Sequence, residues 1–311
     1  MKPKEIITRT TMLGAVATGL VLAGAGGAMA APETADGAIS VRAGSVVLAP
    51  AASGGYAGQL ALQVRYDGPA STSVQLNLDH PQGLYLTGAF DGIDACFHAA
   101  PEQGASVCWL SGELAPGETR TITVNYQALA APQAKTRLTA PGSVTVIASG
   151  TEAQDTAGFR GALRGTGTGL ALRPYQPADA TDMTFAAASE PLTFTAQDDG
   201  TYRASFTTTV HARTDGFHDS MQVELLTPLP GLRSLNLAPS DSCFFTPQGG
   251  VACTVGGKLP QHTTRTIQAS IVVTEPPVPG TVVELTAVGI VDGAADADAN
   301  PADNTIRLIV G

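Results

Sequence analysis

The chain has 311 residues, with 17 Lys+Arg against 27 Asp+Glu and a formal net charge of −10. Charged residues are only 14% and apolar residues 43%, a balance that supports a packed core of about two domains and excludes collagen, coiled coil and wholesale disorder. The acidic excess argues against a nucleic-acid binder, which draws on clustered Lys and Arg to neutralise phosphates.

The amino terminus reads as an address. Lys2, Lys4 and Arg9 precede an uncharged apolar stretch over Met12–Ala25, and Ala28-Met29-Ala30 is a small-x-small tripeptide. That order predicts a secretory signal peptide over residues 1–30, cleaved after Ala30. A membrane anchor is the rival reading, because Thr10 to Pro32 is long enough to span. Five glycines interrupt that stretch, however. No Arg-Arg pair precedes it and no Cys adjoins the cleavage point, so neither twin-arginine export nor a lipid anchor is expected. Residues 1–30 carry a net +2, so their removal takes the chain from −10 to −12 and leaves two lysines, Lys135 and Lys258. Such a charge favours solubility and repels anionic surfaces.

Beyond residue 30 the pattern is that of strands. Thr121 to Tyr126, Ser143 to Val146 and Thr305 to Leu308 alternate polar and apolar residues, as does Gln59 to Tyr66 for most of its length, the period of a half-buried strand. Pro, Gly, Asp and Ser clusters part these segments at short intervals, which predicts an all-β sandwich or barrel. Thr151 to Thr168 is Gly-rich and shows no clear period. Pro174 to Pro191 reads as a semi-rigid linker or short edge segment. No later stretch is long and apolar enough to span a membrane. The carboxyl terminus is expected to end on a strand, with no sorting tail.

The text repeats. Asp94-Ala95-Cys96-Phe97 answers to Asp241-Ser242-Cys243-Phe244, and Thr119-Arg120-Thr121-Ile122 to Thr264-Arg265-Thr266-Ile267, the latter at an offset of 145 residues. That period is too long for a solenoid and predicts two copies of one domain, over 31–178 and 179–311. Each copy holds one local cysteine pair, Cys96 with Cys108 and Cys243 with Cys253, across turn-forming residues. Four cysteines allow three connectivities. Export to an oxidising compartment and closure of each copy on itself favour the within-copy disulfides. A zinc or redox site is the rival, without Cys-x-x-Cys spacing or an adjoining His cluster to support it.

These residues carry a resemblance. After Cys108, Gly112-Glu113-Leu114-Ala115-Pro116-Gly117-Glu118 leads into an alternating strand, and Asp296-Ala297-Asp298-Ala299-Asn300-Pro301-Ala302-Asp303-Asn304 precedes the last one. Each copy resembles the Ig-like conserved-repeat domain of secreted and surface proteins of bacteria. The second copy departs at Lys258-Leu259-Pro260-Gln261-His262, and the first lacks the Asp/Asn-rich ending. The resemblance implies two tandem Ig-like β-sandwiches, a passive spacer, adhesion or assembly role, and no catalytic residues.

Chemistry is sparse. Asp292, Asp296, Asp298, Asn300 and Asp303 offer hard oxygen ligands at short spacing, a candidate calcium site. The central Gly and closing Glu of an EF-hand loop are missing, and an Asp/Asn-rich turn bonding its own backbone is the plainer reading. The five histidines form no metal motif, and no nucleophile elbow, P-loop or dinucleotide fingerprint is present. His218-Asp219-Ser220 reads as a surface turn, since neighbours in sequence cannot by themselves assemble a triad. Trp109, the one tryptophan, is expected in the core against the disulfide. The leading expectation is a secreted, non-enzymatic structural or adhesion-type protein of the bacterial cell envelope. It would contact an extracellular protein or envelope component, with no nucleic acid, no membrane insertion after signal cleavage and no required cofactor. A soluble binder or inhibitor, contacting its partner through the disulfide-closed loops, is the first alternative. A secreted hydrolase is the second.

Overall fold

The computed structural model describes residues 38–88, 90–100, 104–169, 171–186, 191–291 and 293–311. The segment read as a signal peptide lies outside them. Among the described residues the chain is all-β, and no helix is long and apolar enough to cross a membrane.

The amino half contains β1 (Ile39–Ala43), β2 (Val46–Pro50), β3 (Tyr56–Tyr66), β4 (Val74–Asp79), β5 (Tyr85–Leu86) and β6 (Ile93–Ala100). It continues with β7 (Ala105–Leu110), β8 (Thr119–Ala128), β9 (Thr136–Ala148), β10 (Gln154–Leu163) and β11 (Leu172–Pro174). Period-two burial explains these strands. In β3, Leu60, Leu62, Val64 and Tyr66 are buried while the residues between them are exposed. All eleven strands belong to one sheet. Strand β2 is the reason: it pairs antiparallel with β3 and, through Val46, Val47 and Leu48, parallel with β10. The sheet therefore curls around a core that includes Leu48, Leu62, Leu76, Ile122 and Val146.

Strand β10 falls in the stretch that showed no period. Its glycines hide the signal. At Gly161 a Cβ would lie 2.7 Å from Leu84 Cδ1 and 2.9 Å from Thr139 Oγ1, so close packing there excludes the side chain that would have marked a strand.

The carboxyl half contains β12 (Met183–Phe185), β13 (Thr195–Ala196), β14 (Tyr202–Ala212), β15 (Ser220–Leu225), β16 (Leu232–Ala238) and β17 (Ser242–Phe245). It ends with β18 (Val251–Gly256), β19 (Thr264–Val273), β20 (Val282–Val291), β21 (Ala294–Ala295) and β22 (Thr305–Ile309). Here a five-stranded sheet, centred on β14 and β19, and a six-stranded sheet, centred on β15 and β20, enclose a second core with Val223, Ile267, Ile271 and Leu285. Pairings recur between the halves. Strand β3 pairs β8 as β14 pairs β19, and β4 lies between β7 and β9 as β15 lies between β18 and β20. The chain passes from the first core to the second between Tyr175 and Met183.

Candidate functional site

Both cysteine pairs form cross-strand disulfides. Cys96 faces Cys108 between β6 and β7, and Cys243 faces Cys253 between β17 and β18. The alternation that buries Cys108 turns the next residue outward, so Trp109 is not a core residue: it is 38% exposed. Its ring meets Phe97, itself 62% exposed, edge-on at 5.7 Å. Phe244 and Phe245 are also exposed on the equivalent hairpin. Each hairpin thus carries two exposed aromatic rings.

The acidic turn divides. Asp298 and Asp303 come together with Asp182, which precedes β12, and one carboxylate oxygen from each lies within 4.8 Å of the others. A parallel bridge between Thr181 and Asp298 makes this meeting. Asp298 accepts the backbone N–H groups of Met183 and Asn300 at 3.0 and 2.8 Å. Asp303 Oδ2 accepts Arg213 at 2.7 Å and the Asn300 side-chain amide at 2.8 Å. Asn300 therefore turns a donor toward the cluster. Asp182 Oδ1 and Asp303 Oδ1 are buried with no hydrogen-bond partner. Burial, then the charges of Asp303 and Asp298, hold the Asp182 carboxyl above its ordinary range, against the pull of Arg213 and His211. Asp182, Asp298 and Asp303 are the residues that could hold a cation here. Asp296 stands outside the trio, its N–H bonded to Gly289 O. Asp292 lies outside the described residues. Asp182 was not legible beforehand, because only the long-range bridge brings it to the turn.

His218 corrects the surface-turn reading: it is 1% exposed. Its Nδ1 lies 3.1 Å from Gly216 O, and its Nε2 accepts the Leu259 N–H at 2.8 Å. Those two bonds fix a neutral imidazole with its proton on Nδ1. Burial, chiefly, depresses its pKa, and Lys258 and Arg265 add to the shift. Both ring nitrogens are committed to backbone, so the ring has no catalytic lone pair to offer.

A second histidine carries a geometry the sequence did not show. His80 Nε2 lies 2.8 Å from Ser106 Oγ, and His80 Nδ1 lies 2.9 Å from Tyr126 OH. A serine bonded to an imidazole is the geometry of an activated nucleophile. Ser106 and Tyr126 are buried, however, and Ser106 borders a cavity of only about 130 Å³. Small-molecule sites occupy roughly 300–1,000 Å³. The arrangement does the work of a buried polar network, satisfying three side chains at once.

The two halves meet at a tight seam. Tyr175 OH donates to Asp215 Oδ2 at 3.0 Å, and Ala178 N–H to Asp215 Oδ1 at 2.9 Å. Gln261 N–H donates to Leu129 O, and Gln261 Oε1 accepts Ala131 N–H. The rings of Tyr85 and Phe217 stack with centroids 4.2 Å apart. Gly54, with φ +87°, sits so close that a Cβ would lie 2.5 Å from Thr263 Cγ2. Burial raises the pKa of both Tyr85 and Tyr175, and the Asp215 charge adds to each shift. Both phenols therefore stay protonated.

No family model matches the chain, and no curated protein does. Among solved structures it has a slight likeness to a family 123 glycoside hydrolase from Clostridium perfringens, at 10% identity and a TM-score of 0.26, covering 42% of this chain and 28% of that one. It has another to the YadV chaperone, at 11% identity and a TM-score of 0.24, covering 86% of this chain and 99% of that one. Likenesses this slight carry no argument about function.

Proposed function

We propose that the chain is a secreted, non-enzymatic protein of two tandem Ig-like β-sandwiches, serving surface contact or envelope structure in a bacterium. The observation that carries this reading is the seam. Domains tied only by a linker move relative to one another by default. Here a buried hydrogen bond from Tyr175 to Asp215, half-buried ones from Ala178 to Asp215 and from Ala131 to Gln261, and a stacked ring pair join the halves. A stiff two-domain body keeps its ends at fixed spacing, which suits a spacer or contact module and is not needed for a freely diffusing catalyst. The disulfides fit the oxidising environment of an exported protein.

Fractionation of host cells tests the reading. Medium, salt-washed cells and membranes are blotted for the protein with and without a calcium chelator. Retention on washed cells is the expected result, and release by the chelator would implicate the carboxylates of Asp182, Asp298 and Asp303. Full recovery from the medium would overturn a fixed place on the surface.

The exposed rings of Phe97, Trp109, Phe244 and Phe245 favour a second reading, a soluble binder of another extracellular protein. Aromatic anchors are the residues that dominate interface energetics. Under this reading the double variant Phe244→Ser/Phe245→Ser loses partner capture while keeping its thermal stability. Undiminished capture would remove that hairpin from the reading.

A further inference from the structure

The turn entering β8 and the turn entering β19 are equivalent, yet their charges differ. In the amino half, Glu113 and Glu118 precede Arg120. Arg120 bonds Glu118 at 2.6 Å and donates to the carbonyls of Ser111 and Glu113. In the carboxyl half the same places hold Lys258, Thr263 and Arg265. Arg265 keeps the carbonyl bonds, to Gly256, Gly257 and Lys258. Thr263 supplies no carboxylate; burial lowers the pKa of Arg265, and the Asp241 charge opposes that shift.

Lys258 is the second change. Its side chain is 20% exposed, with Nζ 3.5 Å from Asp219 Oδ1 and 5.6 Å from the centroid of Phe217. A close ammonium–carboxylate hydrogen bond runs about 2.7–2.9 Å, so this ion pair is a loose one. The turn faces the hairpin between β2 and β3 and the end of β8, across a cleft of about 450 Å³. Ser53, Thr87, Gln127 and Thr264 add hydroxyl and amide groups to its walls. The volume lies within the roughly 300–1,000 Å³ of small-molecule sites, and a junction between domains is a favoured place for one.

We propose that the seam cleft binds a small organic monocarboxylate, seated on Lys258 Nζ, with its hydroxyls meeting the polar walls. An anion here would fill donors that the long Asp219 contact leaves weakly used. Asp219 sets the selectivity, because its own charge opposes a ligand carrying several carboxylates. This inference stands apart from the spacer reading, and each can fail alone.

Calorimetric titration of the full secreted chain with glucuronate, citrate and glucose tests it. Glucuronate binds in the millimolar range or tighter, citrate more weakly, and glucose not at all. A charge-assisted hydrogen bond is worth about 1.5–3 kcal/mol, so Lys258→Gln weakens glucuronate by about tenfold or more while its melting temperature stays near that of the parent. A chemical readout needs no variant. The secreted chain has two lysines, Lys135 and Lys258, and glucuronate slows amine acylation at Lys258 without slowing it at the exposed Lys135. Absence of glucuronate binding, equal affinity in Lys258→Gln, or equal acylation rates with and without glucuronate would each overturn the proposal.

Discussion

The two halves share pairings but differ in what they bury. In the amino half, Leu78 faces Ser106, and in the carboxyl half Leu225 faces Val251. By that register His80, Ser106 and Tyr126 correspond to Thr227, Val251 and Ile271. One half thus hides a hydrogen-bonded trio where the other places two buried aliphatic residues and a threonine that bonds Val282 O and Glu284 N. Closure differs as well. Three consecutive parallel pairs join β2 to β10, whereas an isolated bridge, Leu192 to Val310, is the described counterpart in the carboxyl half. The pairing scheme therefore tolerates both polar and apolar fillings, provided that strand burial keeps its period and the cysteines stay opposite each other.

The disulfides give the largest expected effect and should break the comparison least. Closing loops of this length restricts the unfolded chain by about 3 kcal/mol each. Cys96→Ser/Cys108→Ser and Cys243→Ser/Cys253→Ser should therefore lose similar stability in denaturant titrations. A loss confined to one pair would mean that the two hairpins are not equivalent staples.

Tyr175→Phe comes next and probes whether the halves behave as one body. It removes the hydroxyl that bonds the Asp215 carboxylate, an interaction of about 1.5–3 kcal/mol. Calorimetry of the parent should show one unfolding transition, and the variant should show two. A single unshifted transition in the variant would deny the seam its coupling role. Tyr126→Phe should cost less, about 1 kcal/mol, by removing one hydrogen bond to His80. An unchanged denaturation midpoint would show that the trio contributes nothing that an apolar filling does not.

Much of this architecture was legible because strand period and cysteine spacing are local. Alternation in Thr121–Tyr126 marked β8, and the repeat in the text anticipated recurring pairings. What was not legible depends on contacts between distant residues. The stretch around Gly161 showed no period because the missing side chain there makes room for Leu84 and Thr139. His218 looked like a turn residue, yet the backbone of Gly216 and Leu259 claims both its nitrogens. The acidic trio was half visible. Asp298 and Asp303 lie in one turn, whereas Asp182 arrives through a bridge spanning over a hundred residues and leaves no mark on the local sequence.

The smallest expected effects are those of pH, and they separate the halves through the carboxyl one. His218 has a depressed folded pKa against an unfolded value near 6.5. Between those values the unfolded chain binds the extra proton, so stability falls as pH drops below about 6.5. Asp182 works the other way. Its folded pKa lies above an unfolded value near 3.8, so the folded chain takes up its proton first and gains stability as pH falls toward that value. The stability curve of the parent should therefore decline below about 6.5, with the Asp182 gain opposing further loss at more acidic pH. His218→Gln, which keeps an acceptor for Leu259 N–H, should flatten the first decline. Asp182→Asn should raise stability at neutral pH, where the parent holds three carboxylates together, and remove the acid-side gain. If Asp182→Asn leaves the curve unchanged, the carboxylates do not oppose one another in solution. If His218→Gln leaves the first decline intact, the proton that destabilises the protein binds elsewhere, and His218 does not set the acid limit of the carboxyl half.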